Sequence, residues 1–137
     1  MCCVMVDLDD FKSINDQYGH PVGDAALIHF AKTLRQRVRR ADAIAQLGGD
    51  EFALVLHNAS GSYTLGVLER LQKMLEASPH PIPEGSARLR FSAGVAERQV
   101  DESLIDALTR ANAALLDAKR SGKAMVRLHL PPDRPGG

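Results

Sequence analysis

The sequence predicts an α/β fold of the α+β kind, with a mainly antiparallel central sheet flanked by helices. Three observations carry that expectation. Apolar residues recur at strand-like and helix-like spacing in the order strand, helix, strand, strand, helix, strand, helix, strand. Gly48-Gly49 separates two short apolar runs, which reads as a β-hairpin. A length of 137 residues at 45% hydrophobic content suits one domain with one core. This order fits a sheet with helices on one face, akin to a ferredoxin-like core.

The elements follow in turn. Cys2 to Leu8 is an apolar run expected as a buried strand, and a short helix is expected from Phe11 into Asp16. Gly23 to Arg40 carries Leu27, Phe30, Ala31, Leu34 and Val38 at helical spacing, with basic residues crowding its last turns, where they suit the helix dipole. Ala43 to Leu47 and Phe52 to Leu56 read as the two arms of the hairpin, its glycines free to take positive φ. Leu68, Leu71, Met74 and Leu75 mark a second long helix. Leu89, Phe91, Ala93 and Val95 alternate with Arg88, Arg90 and Ser92, which predicts a half-exposed strand. Leu104, Leu108, Ala111 and Leu115 give a third long helix, and Val126, Leu128 and Leu130 a closing strand. Ser78 to Gly85 reads as a linker. The domain is expected over 1–130, with 131–137 as a tail.

Composition excludes several classes. Lys+Arg and Asp+Glu balance at 17 each, so no whole-protein field attracts nucleic acid or a membrane surface. No apolar run approaches a membrane span, and the opening residues turn acidic too soon for a signal peptide. Cys2 and Cys3 are neighbours on a strand, point to opposite faces and suggest no disulfide framework. A reducing, cytoplasmic setting is the expectation.

The chemistry concentrates in two motifs. Gly48-Gly49-Asp50-Glu51-Phe52 puts two carboxylates at the tip of an apolar hairpin, where a purely structural turn needs neither. In a split strand–helix–strand unit the first strand ends at the same edge as that tip. Asp7 and Asp9 therefore fall beside Asp50 and Glu51. Mg²⁺ is commonly held by one or two carboxylates plus substrate phosphates, so this edge is a candidate hard-cation site. Asp7 is immediately followed by Leu8-Asp9-Asp10-Phe11-Lys12-Ser13-Ile14-Asn15-Asp16-Gln17-Tyr18-Gly19-His20-Pro21-Val22-Gly23-Asp24, rich in groups that suit phosphate and base recognition.

Together these segments resemble the GGDEF-domain diguanylate cyclases, whose segment Asp-x-Asp-x-Phe-Lys-x-Ile-Asn-Asp-x-x-Gly-His-x-x-Gly-Asp is matched at nearly every fixed position. The resemblance continues to Gly122. It implies a nucleotidyl-cyclase fold and the condensation of two GTP into cyclic di-GMP with Mg²⁺ or Mn²⁺. It also implies Asp7, Asp50, Glu51 and the Leu8 carbonyl as metal ligands, Asp50 as proton acceptor from the ribose 3′-hydroxyl, and Lys12 as transition-state stabiliser. Asn15, His20 and Asp24 match positions that hold GTP, and Lys119, in Ala118-Lys119-Arg120-Ser121-Gly122-Lys123, matches a phosphate contact.

An ionised Asp24 can accept from guanine N1–H and N2–H, whereas adenine offers the wrong pattern. Arg39-Arg40-Ala41-Asp42 resembles the family's inhibitory product site, with Arg39 and Asp42 gripping cyclic di-GMP. The family joins two nucleotides held by two facing domains, which implies a homodimer, and a sensory or phosphodiesterase domain is expected in a longer parent chain. Gln46 stands where many members carry Arg, Lys123 where Arg is usual, and the opening Asp-x-Leu-Thr and Asn-Arg motifs are missing. Those departures leave open a catalytically weak GTP-binding regulatory module, or a cyclic di-GMP effector.

Overall fold

The computed structural model describes residues 1–82 and 85–130; the expected tail at 131–137 lies outside them. The chain runs β1 (Cys2–Leu8), α1 (Phe11–Tyr18), α2 (His20–Arg37), β2 (Ala43–Gln46), β3 (Glu51–Leu56), α3 (Gly61–Ala77), β4 (His80–Ile82), β5 (Gly85–Ala87), β6 (Phe91–Glu97), α4 (Leu104–Arg120) and β7 (Val126–His129). Five strands form one sheet in the order β2-β3-β1-β6-β7, antiparallel except for the β6–β7 pair. The register sets Asp7 opposite Glu51 on one side and Ser92 on the other. The end of β1, the hairpin tip and the start of β6 therefore share one edge of the molecule.

Alternation along β1 feeds two cores. Cys2, Val4, Val6 and Leu8 point into the larger one, with Phe30 and Leu34 of α2, Leu68, Leu71 and Leu75 of α3, and Phe52, Phe91 and Val95. Phe30 meets the Phe52 and Phe91 rings in tilted geometry at 5.7 Å each, contacts that contribute about 0.5–1.5 kcal/mol apiece beyond burial. Cys3 points the other way, into a small alanine-rich layer with Ala96, Ala107 and Ala111. Both cysteines are buried and unbridged.

Helices thus cover both faces of the sheet, not one. The fourth helix lies on the face opposite α2 and α3, and its mostly alanine inner surface lets it approach the sheet closely. A Cβ on Gly94 would lie 1.9 Å from the Ala111 carbonyl oxygen and 2.3 Å from the Leu115 nitrogen. Only glycine lets the helix backbone rest directly on the strand.

Three further expectations are corrected. β6 is buried on both faces from Phe91 to Ala96, since Arg88 and Arg90 precede it and Ser92, Gly94 and Ala96 face α4. His80–Ile82 and Gly85–Ala87 pair as a small antiparallel hairpin where a linker was expected. Gly48 and Gly49 do not use positive φ, which the glycines Gly19, Gly85 and Gly122 do.

Candidate active site

At the shared edge, the Leu8 N–H donates to the Asp50 carbonyl at 3.1 Å, tying the end of β1 to the hairpin tip. Asp7 beside it is only 6% exposed. Its Oδ2 accepts from Lys119 Nζ, while its Oδ1 is buried with no hydrogen-bond partner. Burial pushes the Asp7 carboxyl above the ordinary carboxylate range; the Lys119 bond opposes that, and the neighbouring Asp50 charge adds to it. Asp50 is half-buried and Glu51 exposed.

Asp7 and Asp50 open onto a cleft of about 330 Å³, whose lining also includes Leu8, Lys12, Lys119 and Lys123, whereas Glu51 is not part of that lining. Lys12 reaches it from the first turn of α1, and the other two lysines come from α4 and the turn after it. The cleft therefore has an acidic floor and a cationic rim.

The tip itself is held by Leu47 N–H to the Glu51 carbonyl at 2.9 Å and Gln46 Nε2–H to the Gly49 carbonyl at 3.1 Å. A Cβ on Gly49 would meet nothing within 4 Å, and one on Gly48 only the Glu51 side chain at 3.8 Å. Neither packing nor φ demands glycine there. A bare backbone at the mouth of a cleft suits close approach by a ligand.

Among the described residues, no group of three or more His, Cys, Asp or Glu is arranged to cage a metal. A Mg²⁺ ion needs no such cage when one or two carboxylates, water and substrate phosphate complete its shell. The unpartnered Asp7 Oδ1 next to Asp50 fits that kind of site.

A second set of predicted residues gathers at the α1–α2 junction, where Gly19 (φ 89°) turns one helix into the next. Asn15 on α1 is pressed against Gly23 on α2 so closely that a Cβ there would lie 1.6 Å from Asn15 Oδ1. That oxygen is buried and unpartnered. Asp24, the next residue, and His20 are exposed.

Arg39 and Asp42 lie at the far end of α2 and are bonded to each other. Asp42 is buried and accepts from Arg39 N at 3.0 Å, Arg39 Nε at 3.2 Å and His57 N at 2.9 Å. Arg39 Nη2 also donates to the His57 carbonyl, and its guanidinium sits 5.5 Å from the centre of the Tyr63 ring. The desolvated Asp42 carboxyl is nonetheless held below its ordinary range by these bonds. The pair clamps the end of α2 to the end of β3. Its carboxylate has little accepting capacity left, while the Arg39 side chain stays 45% exposed.

Sequence reasoning missed another constellation at the catalytic edge. Asp9 Oδ1 accepts from Ser92 Oγ at 2.7 Å and Asp9 Oδ2 from Ala124 N at 2.8 Å. Lys123 Nζ donates to Asp10 Oδ1 at 2.9 Å. Lys123 and Ala124 both have left-handed backbones (φ 65° and 51°), a conformation costing about 1–2 kcal/mol per non-glycine residue. The one available signal was Ser92, a hydroxyl in an otherwise apolar run.

A family model described as "Diguanylate cyclase, GGDEF domain" matches residues 1–125. The chain belongs to the GGDEF-domain family. The domain is 37% identical to Diguanylate cyclase A of Treponema denticola over 91% of this chain and 34% of that protein. It is 36% identical to the bifunctional diguanylate cyclase/cyclic di-GMP phosphodiesterase MucR of Pseudomonas aeruginosa over 88% of this chain and 18% of that protein. The chain thus spans about a third or less of these curated relatives. The GGDEF domain of DgcB from Caulobacter crescentus, solved in complex with c-di-GMP, superposes with a TM-score of 0.88 at 28% identity, covering 93% of this chain and 77% of that one. The active GGEEF domain of a diguanylate cyclase from Vibrio cholerae superposes at 0.86, also at 28% identity, covering 96% and 83%. The nucleotidyl-cyclase architecture expected from the motifs is the one observed. Among the described residues, no helix is long and apolar enough to cross a membrane.

Proposed function

We propose that this GGDEF domain is a diguanylate cyclase, condensing two GTP into cyclic di-GMP and two pyrophosphates. The observation that carries the reading is the buried, unpartnered Asp7 Oδ1 beside Asp50, in a cleft rimmed by lysines. Burying a carboxylate oxygen without a partner is expensive unless a cation completes it.

Asp7, Asp50, Glu51 and the Leu8 carbonyl would hold Mg²⁺ or Mn²⁺. When bound, the ion neutralises triphosphate charge and stabilises charge developing during phosphoryl transfer. Asp50 takes the proton from the attacking 3′-hydroxyl. Lys12 stabilises charge on the transferred phosphoryl group, and Lys119 and Lys123 hold the phosphate oxygens as point charges. Asn15 and Asp24 read the base, and His20 contacts the nucleotide. Because each product joins two nucleotides, two copies of the domain must face each other. A cytoplasmic setting supplies GTP and keeps Cys2 and Cys3 reduced.

Gln46 favours slow turnover, since its amide is spent on the Gly49 carbonyl and adds no charge near the phosphates. A non-catalytic effector reading is disfavoured because Asp42 is saturated internally, whereas the acidic floor is open. Product inhibition through Arg39 then requires Asp42 to exchange its internal donors for guanine.

The test is incubation of purified protein with GTP and Mg²⁺, followed by chromatographic separation of the nucleotides. Cyclic di-GMP should accumulate. GTP left intact at concentrations where the protein is dimeric would overturn the proposal.

A further inference from the structure

Three features at the catalytic edge remain unused by that scheme: Asp9, Ser92 and the strained turn after α4. Asp9 sits two residues beyond Asp7 and looks, by position, like one more metal ligand. Its geometry says otherwise. One oxygen accepts from Ser92 Oγ at 2.7 Å, and the other from Ala124 N at 2.8 Å. The Ala124 N–H is shared with Ser92 Oγ at 3.2 Å, closing a three-way junction. Asp9 N–H in turn donates to the Arg90 carbonyl at 2.7 Å, so the junction is anchored to the segment leading into β6.

The position of this junction gives it meaning. Ser92 has no exposed surface and belongs to β6, which is paired on both sides, with β1 and β7. Ala124 belongs to a turn whose three consecutive residues Gly122, Lys123 and Ala124 all have positive φ. Two of those are not glycine, and such strain persists only where surrounding bonds over-determine it. The turn carries Lys123, and Lys119 lies one helical turn before it. Both face the cleft, Lys119 bonded to Asp7 and Lys123 to Asp10.

We infer that Asp9 and Ser92 are positioning residues: they latch the α4–β7 turn to the sheet and so fix Lys119 and Lys123 over the acidic edge to receive a nucleotide's phosphates. Asp9 is then not a metal ligand. Its two oxygens are committed to the latch, and a cation there would have to break it. Ser92 supplies what no apolar residue of that strand could, a buried donor aimed at the carboxylate that grips the backbone of the turn. This inference rests on the reading of the two lysines as phosphate contacts.

The latch separates phosphate recognition from base recognition, since Asn15 and Asp24 lie on other elements. Calorimetric titration of the full chain with GTP and with guanosine therefore distinguishes it from a general structural role. In Ser92→Ala and Asp9→Asn, GTP affinity should fall roughly tenfold, the loss of about one charge-assisted contact, with guanosine affinity unchanged. Ser92→Thr, which keeps the hydroxyl, should restore GTP binding. Amide hydrogen exchange at Ala124 should be slow in the unaltered protein and fast in Asp9→Ala, which removes the acceptor at 2.8 Å. Equal loss for GTP and guanosine, or a protected Ala124 amide in Asp9→Ala, would overturn the latch. Failure of the unaltered protein to bind GTP while Ala124 exchange responds to Asp9→Ala would instead overturn the phosphate role of the lysines, and with it the proposed activity.

Discussion

Gly23→Ala separates base recognition from folding. A methyl group at Gly23 would lie 1.6 Å from Asn15 Oδ1 and 2.7 Å from its Cγ. An ordinary carbon contact is about 3.5 Å, so the overlap is close to 2 Å. The obstacle is the tip of one side chain, not backbone, and Asn15 can swing out of the way. Relief of that kind costs about 1–3 kcal/mol, equivalent to melting at a temperature lowered by about 3–10 °C in a domain of this size. The domain should therefore still fold. What it loses is Asn15 at the junction with Asp24. A good bidentate base contact discriminates by about 1–3 kcal/mol, so preference for GTP over ATP should drop roughly 5- to 150-fold. Calorimetric titration with both nucleotides, alongside thermal melting, measures the two effects separately. Asn15→Ala in the Gly23→Ala background should recover the lost stability without recovering the preference. If Gly23→Ala binds GTP with unchanged selectivity, Asn15 does not read guanine.

Other outcomes follow from single contacts. Gly49→Ala should leave stability within about 0.5 kcal/mol of the parent, because its Cβ would meet nothing within 4 Å and φ is unstrained; cyclic di-GMP formation should nonetheless fall if substrate approaches that backbone, and full activity would contradict the role given to the hairpin tip. Arg39→Ala should destabilise the fold by about 1–3 kcal/mol, since Asp42 loses its charged partner, and should weaken cyclic di-GMP binding with little effect on a non-hydrolysable GTP analogue; unchanged product affinity would remove Arg39 from any inhibitory site. The Arg110 bond to Glu102 (2.6 Å) holds the Glu102 carboxyl down to about 2. Its stabilisation is present above the ordinary glutamate range and fades as pH falls toward 2. Glu102→Gln should accordingly lower the melting temperature at pH 7 and have little effect near pH 2, and an equal effect at both would refute the pairing.

Local pattern made much of the fold legible. An unbroken apolar run reports a central strand directly, and the three long helices announce themselves through apolar residues at helical spacing. The β4–β5 hairpin was hidden because His80-Pro81-Ile82 places a proline in a three-residue strand, which reads as loop. The strand β6 looked half-exposed because Arg88, Arg90 and Ser92 alternate with its apolar residues; the two arginines precede it, and the small residues on its α4 side are what a helix backbone in direct contact with Gly94 requires.

At the site, the motif residues Asp7, Asp50 and Lys119 are brought together from three elements. The saturation of Asp42 depends on His57, 15 residues away, and the Asp9–Ser92 bond spans 83 residues. Neither separation is visible to a local reading of sequence.

The proposed function stands or falls on whether the acidic edge performs chemistry on GTP. The direct measurement follows nucleotides by chromatography over time for the unaltered protein and for Asp50→Ala, with GTP and Mg²⁺ in excess and melting temperatures matched. Cyclic di-GMP and pyrophosphate in a 1:2 ratio are expected from the first and none from the second, both folded alike. Equal turnover by the two, or GTP untouched by a dimeric unaltered protein, would contradict that function.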